Sequence, residues 1–194
     1  MSQDDVKGAG EKFDESLAFN RKQNYRLFIA YSLCDLGDLA WAERELDQAL
    51  KKYTEAREIF HELDHRDEAL ALFGLGKIAL AQGDLGDARR FFIPGLVIFP
   101  TGSSFWSPEQ NLEAVALLAI SEQQLERSAL LLGASEAWLY RTQRLRTPRE
   151  RQERESAIVT VRGALGEDAF TATWEEGRAM SLEQAVAYAL EEYD

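Results

Sequence analysis

The feature that most constrains this chain is an internal repeat of about 40 residues. A column of small residues marks it, and its members are Gly37, Gly76 and Ala116, at almost equal intervals. A unit of this length cannot bury an apolar face alone and must stack on its neighbours. The repeat therefore predicts a stack of small units rather than one globular core.

A second set of columns follows each member of the first. Every set has a small residue, a large apolar residue and another small residue: Ala49, Tyr53 and Ala56, then Ala88, Phe92 and Gly95, then Ser128, Leu132 and Ser135. The same pattern appears one repeat earlier, at Ala9, Phe13 and Ser16. Residues three, four and seven apart share one face of a helix. The columns therefore predict helices that pack closely at their small residues.

The predicted fold class is all-α, with two helices in each repeat. The expected helices are 24–42 and 45–63, then 66–82 and 84–99, then 108–122 and 125–144, with Pro94 and Gly95 predicting a kink or an early end in the fourth. Residues 1–22 predict a single helix, the second half of an upstream repeat, and 23–144 predict three hairpins. Capping-box patterns at Thr147 and Ser181 open helices in 145–194, which we expect to form a C-terminal helical cap.

The second repeat carries a family resemblance. The pattern consists of Leu75-Gly76, Gln82-Gly83-Asp84-Leu85, Ala88, Phe92, Gly95 and Leu96. It resembles the tetratricopeptide repeat, although the period is longer than the usual ~34 residues and the turn glycine is absent at Arg44. The resemblance implies a solenoid, or superhelix, of helical hairpins that binds a protein or peptide partner without catalysis.

The tail resembles a narrower group of proteins. Leu131-Leu132-Gly133-Ala134, Ala164-Leu165-Gly166-Glu167 and Trp174-Glu175-Glu176-Gly177 are similar to the C-terminal ends of large bacterial regulators. Those proteins join a STAND-type NTPase to a tetratricopeptide array, often with a LuxR-type output domain. The resemblance implies a cytoplasmic module of a signal-transduction or transcriptional regulator and favours a piece of a longer protein. Gly74-Leu75-Gly76-Lys77 lacks the spacing of a phosphate-binding loop.

The resemblance also assigns a binding surface. In a tetratricopeptide superhelix the first helix of each repeat lines the concave face. The column alignment places eleven residues there: Tyr31, Cys34, Asp38 and Trp41, then Leu70, Phe73, Lys77 and Leu80, then Gln110, Glu113 and Leu117. Trp41 with Tyr31 would form a partly apolar anchor for a peptide or helix, unless Trp41 packs against the next hairpin. Trp106 is either a further exposed anchor or tucked under the cap.

Other functions remain as alternatives. The groove could bind a small effector molecule, or an unclosed end of the stack could drive self-association. His61-Glu62-Leu63-Asp64-His65 matches the H-E-x-x-H pattern of zinc hydrolases, but a helix ending near Leu63 would separate the two imidazoles. Cys34 has apolar neighbours, which favours a buried or groove-lining thiol over a nucleophile. The sequence predicts no catalytic residue, metal or cofactor.

Charge and composition limit the classes of partner that this chain can bind. The chain has 22 basic and 34 acidic residues, a formal charge of −12, which argues against direct binding of nucleic acid or an anionic membrane. A single cysteine favours a reducing compartment. Six arginines between Arg141 and Arg154 form the one basic stretch, which could bind an acidic surface or a phosphate, or be an ordinary charged loop and helix start. Composition leaves the oligomeric state open.

Overall fold

The computed structural model describes residues 3–98, 108–142 and 146–191, with side chains over 8–97, 109–140 and 146–191. These residues form ten α-helices and include no strand. The all-α fold class is confirmed. Trp106, Arg141 and Arg144 fall outside the part whose side chains are described, so the expectations about them are not taken further.

The helices fall close to their predicted positions. They are α1 (Gln3–Gln23), α2 (Arg26–Ala42), α3 (Leu46–Glu62), α4 (Glu68–Gln82), α5 (Leu85–Ile98), α6 (Pro108–Ser121), α7 (Leu125–Thr142), α8 (Pro148–Leu165), α9 (Glu167–Ala179) and α10 (Leu182–Leu190). The predicted capping boxes form at Thr147 and Ser181. The early end expected at Pro94 does not occur, because α5 continues to Ile98.

The same tight turn ends five of these helices. Its central residue has a positive φ and is Asn24, Arg44, Asp64, Gly83 or Gln123. The next amide donates to the carbonyl five residues back, as from Glu45 to Ala40 at 2.8 Å. This bond and the left-handed residue define the Schellman motif, in which glycine is usual. Arg44, with φ of 64°, makes the turn where the sequence lacks its glycine.

The chain packs as two compact units, Met1–Ile98 and Phe99–Asp194. The first unit contains α1 to α5, and consecutive helices pack against each other. Its core includes Tyr53, which is 1% exposed and lies against two glycines. A Cβ atom at Gly37 would lie 2.8 Å from the Tyr53 ring, and one at Gly74 would lie 2.4 Å from it. The small residues of the repeat therefore make room for a ring between three helices.

The second unit joins the third hairpin to the expected cap. Helices α7 and α9 cross at two glycines, since a Cβ at Gly133 would lie 2.2 Å from the carbonyl oxygen of Trp174. One at Gly177 would lie 2.0 Å from that of Leu130. Helix α8 packs on α6 and α7. The division at 98/99 thus places residues 145–194 in the same unit as the third hairpin.

Candidate functional site

Seven of the predicted surface residues lie on α2 and α4 in the first unit. We call them the α2–α4 strip: Tyr31, Asp38, Trp41, Leu70, Phe73, Lys77 and Leu80. Asp38 is exposed and the other six are half-buried. Cys34 differs from them because it is only 7% exposed. Cys34 therefore packs in the core instead of lining the surface as predicted. Its burial raises the pKa of the thiol, so the reactive thiolate is disfavoured.

Lys77 forms the centre of the strip. Its Nζ lies 3.3 Å from Asp38 Oδ1, 4.9 Å from the centre of the Phe73 ring and 5.5 Å from that of Trp41. Asp38 also accepts a hydrogen bond of 2.6 Å from the buried Tyr53 hydroxyl. One ammonium therefore faces two half-buried aromatic rings and a carboxylate that is held in place from below. Trp41 is half-buried and packs against the core of the first unit, while part of its surface stays exposed.

Tyr31 occupies the other end of the strip and is held by its neighbours. Its hydroxyl donates to Asp67 Oδ2, and its ring lies 5.3 Å from Phe60 and 6.4 Å from His65, between ring centres. Burial, and then the hydrogen bond to Asp67, raise the pKa of the Tyr31 hydroxyl. Tyr31 thus joins α2 to the α3–α4 turn while leaving part of its ring exposed.

The H-E-x-x-H segment does not have the geometry of a zinc motif. Helix α3 ends at Glu62, and His65 lies in the following turn. His61 Nδ1 is 3.2 Å from Glu68 Oε2, while the His65 ring stacks on Phe60. Two imidazoles on one helix face are needed to chelate zinc, and the turn separates these two. Across the described ranges no group of three potential ligands could hold a metal ion.

The third repeat presents its face to helix α8. Gln110 donates to Glu150 Oε1 at 2.7 Å, and Leu117 is half-buried. Glu113 Oε1 accepts hydrogen bonds from Ser135 at 2.8 Å, from Arg154 at 2.6 Å and from Arg146. Two of the three surface residues predicted here therefore contact the chain's own C-terminal segment.

Arg154 anchors that contact. It is 7% exposed and also donates to Glu136 Oε2 at 2.8 Å and to the carbonyl oxygen of Leu132 at 3.0 Å. Its guanidinium lies 5.3 Å from the Trp174 ring. Burial lowers the pKa of Arg154, and Glu113 opposes this effect. Two members of the basic stretch thus bind inside the second unit. The signal in the sequence was the position of Arg154 on the apolar face of α8, three and seven residues before the buried Ala157 and Val161, and the repeat columns do not include this helix.

Comparison with known proteins supports one part of the family resemblance. A tetratricopeptide repeat family model matches residues 28–93, which is about a third of the chain and covers the first two hairpins. The searches of curated proteins and of solved structures found no match. No helix among the described residues has the length and apolar character needed to cross a membrane. The α2–α4 strip lies entirely within the matched repeats.

Proposed function

We propose that the α2–α4 strip binds a protein or peptide partner. Tetratricopeptide repeats are in general modules of protein–protein interaction, and the strip falls inside the matched repeats. The observation that carries the proposal is the placement of Lys77, whose side chain is 22% exposed beside Asp38, Trp41 and Phe73. Half-exposed rings around a fixed charge pair provide both apolar contact area and a polar group that sets orientation.

The strip favours a partner segment with large apolar side chains. Leu70, Phe73, Leu80 and Trp41 offer apolar surface along two neighbouring helices. Asp38 is 65% exposed, so a donor group on the partner can reach it without displacing the Tyr53 hydroxyl. We therefore expect bound segments to combine apolar anchors with a hydrogen-bond donor near Asp38.

The setting of this interaction is a further part of the proposal. The tail resembles the C-terminal ends of large bacterial regulators, which supports a module that serves a signal-transduction or transcriptional regulator in the cytoplasm. In such a protein the strip would sense or hold a partner, and the chemistry would belong to other domains. A small effector bound on the same strip is the competing function.

Peptide selection on the purified protein tests the proposal. A random peptide library is enriched on the wild type, and the enriched peptides are measured by fluorescence anisotropy against variants. We expect Trp41→Ala and Lys77→Ala to weaken binding about tenfold or more, since anchors at interface centres commonly cost above about 1.4 kcal/mol. Tyr140→Ala is the matched control, because Tyr140 is 87% exposed in the second unit. Equal binding by all four proteins would contradict the proposal.

A further inference from the structure

The two histidines of the chain lie together where α3 ends and α4 begins. His61 Nδ1 is 3.2 Å from Glu68 Oε2, and the side chain of His61 is 75% exposed. The side chain of His65 is 32% exposed, stacks on Phe60 and meets the ring of Tyr31 edge to face. Histidine changes its charge between about pH 5 and 8, so this junction can respond to mild acidification.

His65 accepts a hydrogen bond that only a neutral imidazole can accept. The backbone amide of Asp67, just before the first residue of α4, donates to His65 Nδ1 at 3.2 Å. Amides at a helix N-terminus have no acceptor within the helix, so the imidazole takes the place of a capping side chain. A neutral imidazole that accepts at Nδ1 carries its proton on Nε2.

The carboxylate of Asp67 is a second group within reach of His65 Nδ1. Its Oδ2 lies 3.9 Å from Nδ1 and accepts the hydrogen bond that the Tyr31 hydroxyl donates. The Asp67 side chain is only 6% exposed, so interactions with this oxygen are stronger than they would be in water. Tyr31 of α2 and His65 of the turn therefore converge on one buried oxygen, which the neutral His65 ring leaves to Tyr31.

Protonation of His65 reverses the role of Nδ1. A charged imidazole has a proton on both nitrogens, so Nδ1 no longer accepts from the Asp67 amide. A movement of about 1 Å brings the new N–H into hydrogen-bond range of Asp67 Oδ2. A bond between two charged groups is roughly twice as strong as one between neutral groups. The imidazolium therefore competes with the Tyr31 hydroxyl for this oxygen.

Asp67 is the buried carboxylate that faces His65. The other titratable and charged side chains near this junction are Arg26, Tyr31 and Cys34 of α2, Arg57, His61 and Glu62 of α3, Asp64 and Arg66 of the turn, and Glu68 of α4. Glu68 pairs with Arg57 at 3.1 Å, and Glu62 pairs with Arg26. Asp64 and Arg66 are exposed, so solvent screens their charges.

We propose that protonation of His65 weakens partner binding at the α2–α4 strip by drawing Asp67 away from Tyr31. Tyr31 forms one end of the strip, and its bond to Asp67 fixes the position of its ring. With His65 neutral, a partner meets a preorganised surface; with His65 charged, the ring must be ordered again on binding. The inference rests on the function proposed for the strip, but the coupling between His65 and Tyr31 needs no partner.

An NMR titration of the full chain tests the coupling without a ligand. From pH 7 to pH 5 the amide signal of Asp67 should follow the His65 ring. Tyr31→Phe leaves Oδ2 to the imidazolium and should raise the midpoint of the His65 titration by about half a pH unit, while Asp67→Asn removes the attracting charge and should lower it by about one. Equal His65 midpoints in the wild type and Tyr31→Phe overturn the proposal.

Two controls accompany the titration. Tyr25→Phe removes the hydroxyl of a tyrosine that is 50% exposed in the same unit, and it should leave the His65 midpoint unchanged. The His61 ring serves as an internal control, because its contact is with Glu68, and its midpoint should be the same in Tyr31→Phe as in the wild type.

Peptide affinity tests the consequence for the strip. Selected peptides that lose affinity in Trp41→Ala, and that contain no histidine or acidic residue, are measured at pH 7 and pH 5. We expect binding about fivefold weaker at pH 5, a common size of coupling between two sites. His65→Asn should bind equally at both pH values, because its amide oxygen accepts from the Asp67 amide at either pH. His61→Asn is the matched control and should keep the pH dependence.

The outcomes of this experiment separate the two proposals. If no selected peptide depends on Trp41, the function proposed for the strip is wrong, and the NMR titration still decides the coupling. Peptides that depend on Trp41 but bind equally at pH 7 and pH 5 overturn the control by His65. The same conclusion follows if His65→Asn keeps the full pH dependence of the wild type.

Discussion

Helices α4 and α6 hold the same place in their repeats, but their outward faces have different neighbours. On α4, Phe73 and Lys77 keep part of their surface exposed. On α6, Glu113 stands at the position of Phe73 and binds Arg146 and Arg154. The position of a residue within the repeat determines whether its side chain points into the core of the hairpin or away from it. The segment that follows in the chain determines whether those residues meet solvent or protein.

The largest expected effect comes from breaking the α6–α8 contact. Arg154→Ala would remove one of the two arginines that pair with Glu113, whose side chain is 14% exposed. Removing one member of a buried ion pair costs about 3 to 5 kcal/mol, so we expect a loss of about 3 kcal/mol in the free energy of unfolding. Urea unfolding followed by circular dichroism measures it, and hydrogen exchange should locate the loss in residues 108–190.

Two further variants show whether the loss of stability in Arg154→Ala comes from the buried ion pair. Arg149→Ala on the same helix removes a pair with Glu153 in which both side chains are more than a third exposed, so a cost below about 1 kcal/mol is expected. The double variant Arg154→Met with Glu113→Leu should regain only part of the loss, because Arg146, whose side chain is 8% exposed, loses Glu113 as well and keeps its contact with Glu136 at 3.5 Å. A single variant as stable as the wild type would show that α8 does not depend on this contact.

The next largest effect concerns the α7–α9 crossing. Gly177→Ala would place a methyl group 2.0 Å from the backbone oxygen of Leu130, so the helices must separate. We expect a loss of about 1 to 3 kcal/mol by the same measurement. Gly163→Ala on α8 is the control, since nothing lies within 4 Å of its Cβ position. Gly163→Ala should raise the free energy of unfolding by about 0.5 to 1 kcal/mol. If both variants were stabilised, or both destabilised, the close contact of α7 and α9 at Gly177 would be contradicted.

On the α4 face a charge change should barely affect stability. Lys77→Met keeps the apolar stem of the side chain and removes a pair whose carboxylate is 65% exposed. We expect a change below about 1 kcal/mol in urea unfolding, much less than for Arg154→Ala. A loss of about 3 kcal/mol would mean that Lys77 is as structural as Arg154, and the contrast between the two faces would disappear.

The smallest effect concerns pH and Asp35, which lies on α2 with part of its surface exposed. Partial burial of its carboxyl, and then the charge of Asp38, raise the pKa of Asp35. A raised pKa means that protonation of Asp35 stabilises the folded state. This contribution to the free energy of unfolding is lost as the pH rises through the raised pKa, so at pH 7 the ionised carboxylate disfavours folding. Asp35→Asn should therefore raise the urea midpoint slightly at pH 7, and the gain should shrink toward pH 4. If the gain in urea midpoint grew on acidification instead, the pKa of Asp35 would be lowered by folding, and the prediction would be wrong.

The sequence predicted the helices well because their columns repeat. Small residues such as Gly37 and Gly76 stand at close contacts, and a close contact tolerates few side chains. The residues of the α2–α4 strip could be named for the same reason. Their role in binding stays a prediction, as do the boundaries at 22/23 and 144/145.

What the sequence did not reveal depends on contacts across long separations. Arg154 meets Glu113 across 41 residues, and no column links α8 to α6. An ordinary charged loop and helix start was one of the two alternatives for the basic stretch, yet Arg154 is buried. The exposed rings of Phe19 and Phe28 were not predicted, because Ile59 and Asp67 fill the equivalent positions one repeat later and share no residue type with them.

The left-handed turns have a practical consequence for engineering. Four of them place Asn24, Arg44, Asp64 and Gln123 in a conformation that costs an L-residue about 1 kcal/mol more than glycine, with asparagine and aspartate the most tolerant. Arg44 and Gln123 therefore retain local strain at positions remote in sequence from Lys77 and Arg154. Glycine at these two turns offers a route to a more heat-resistant chain with both helix faces left intact.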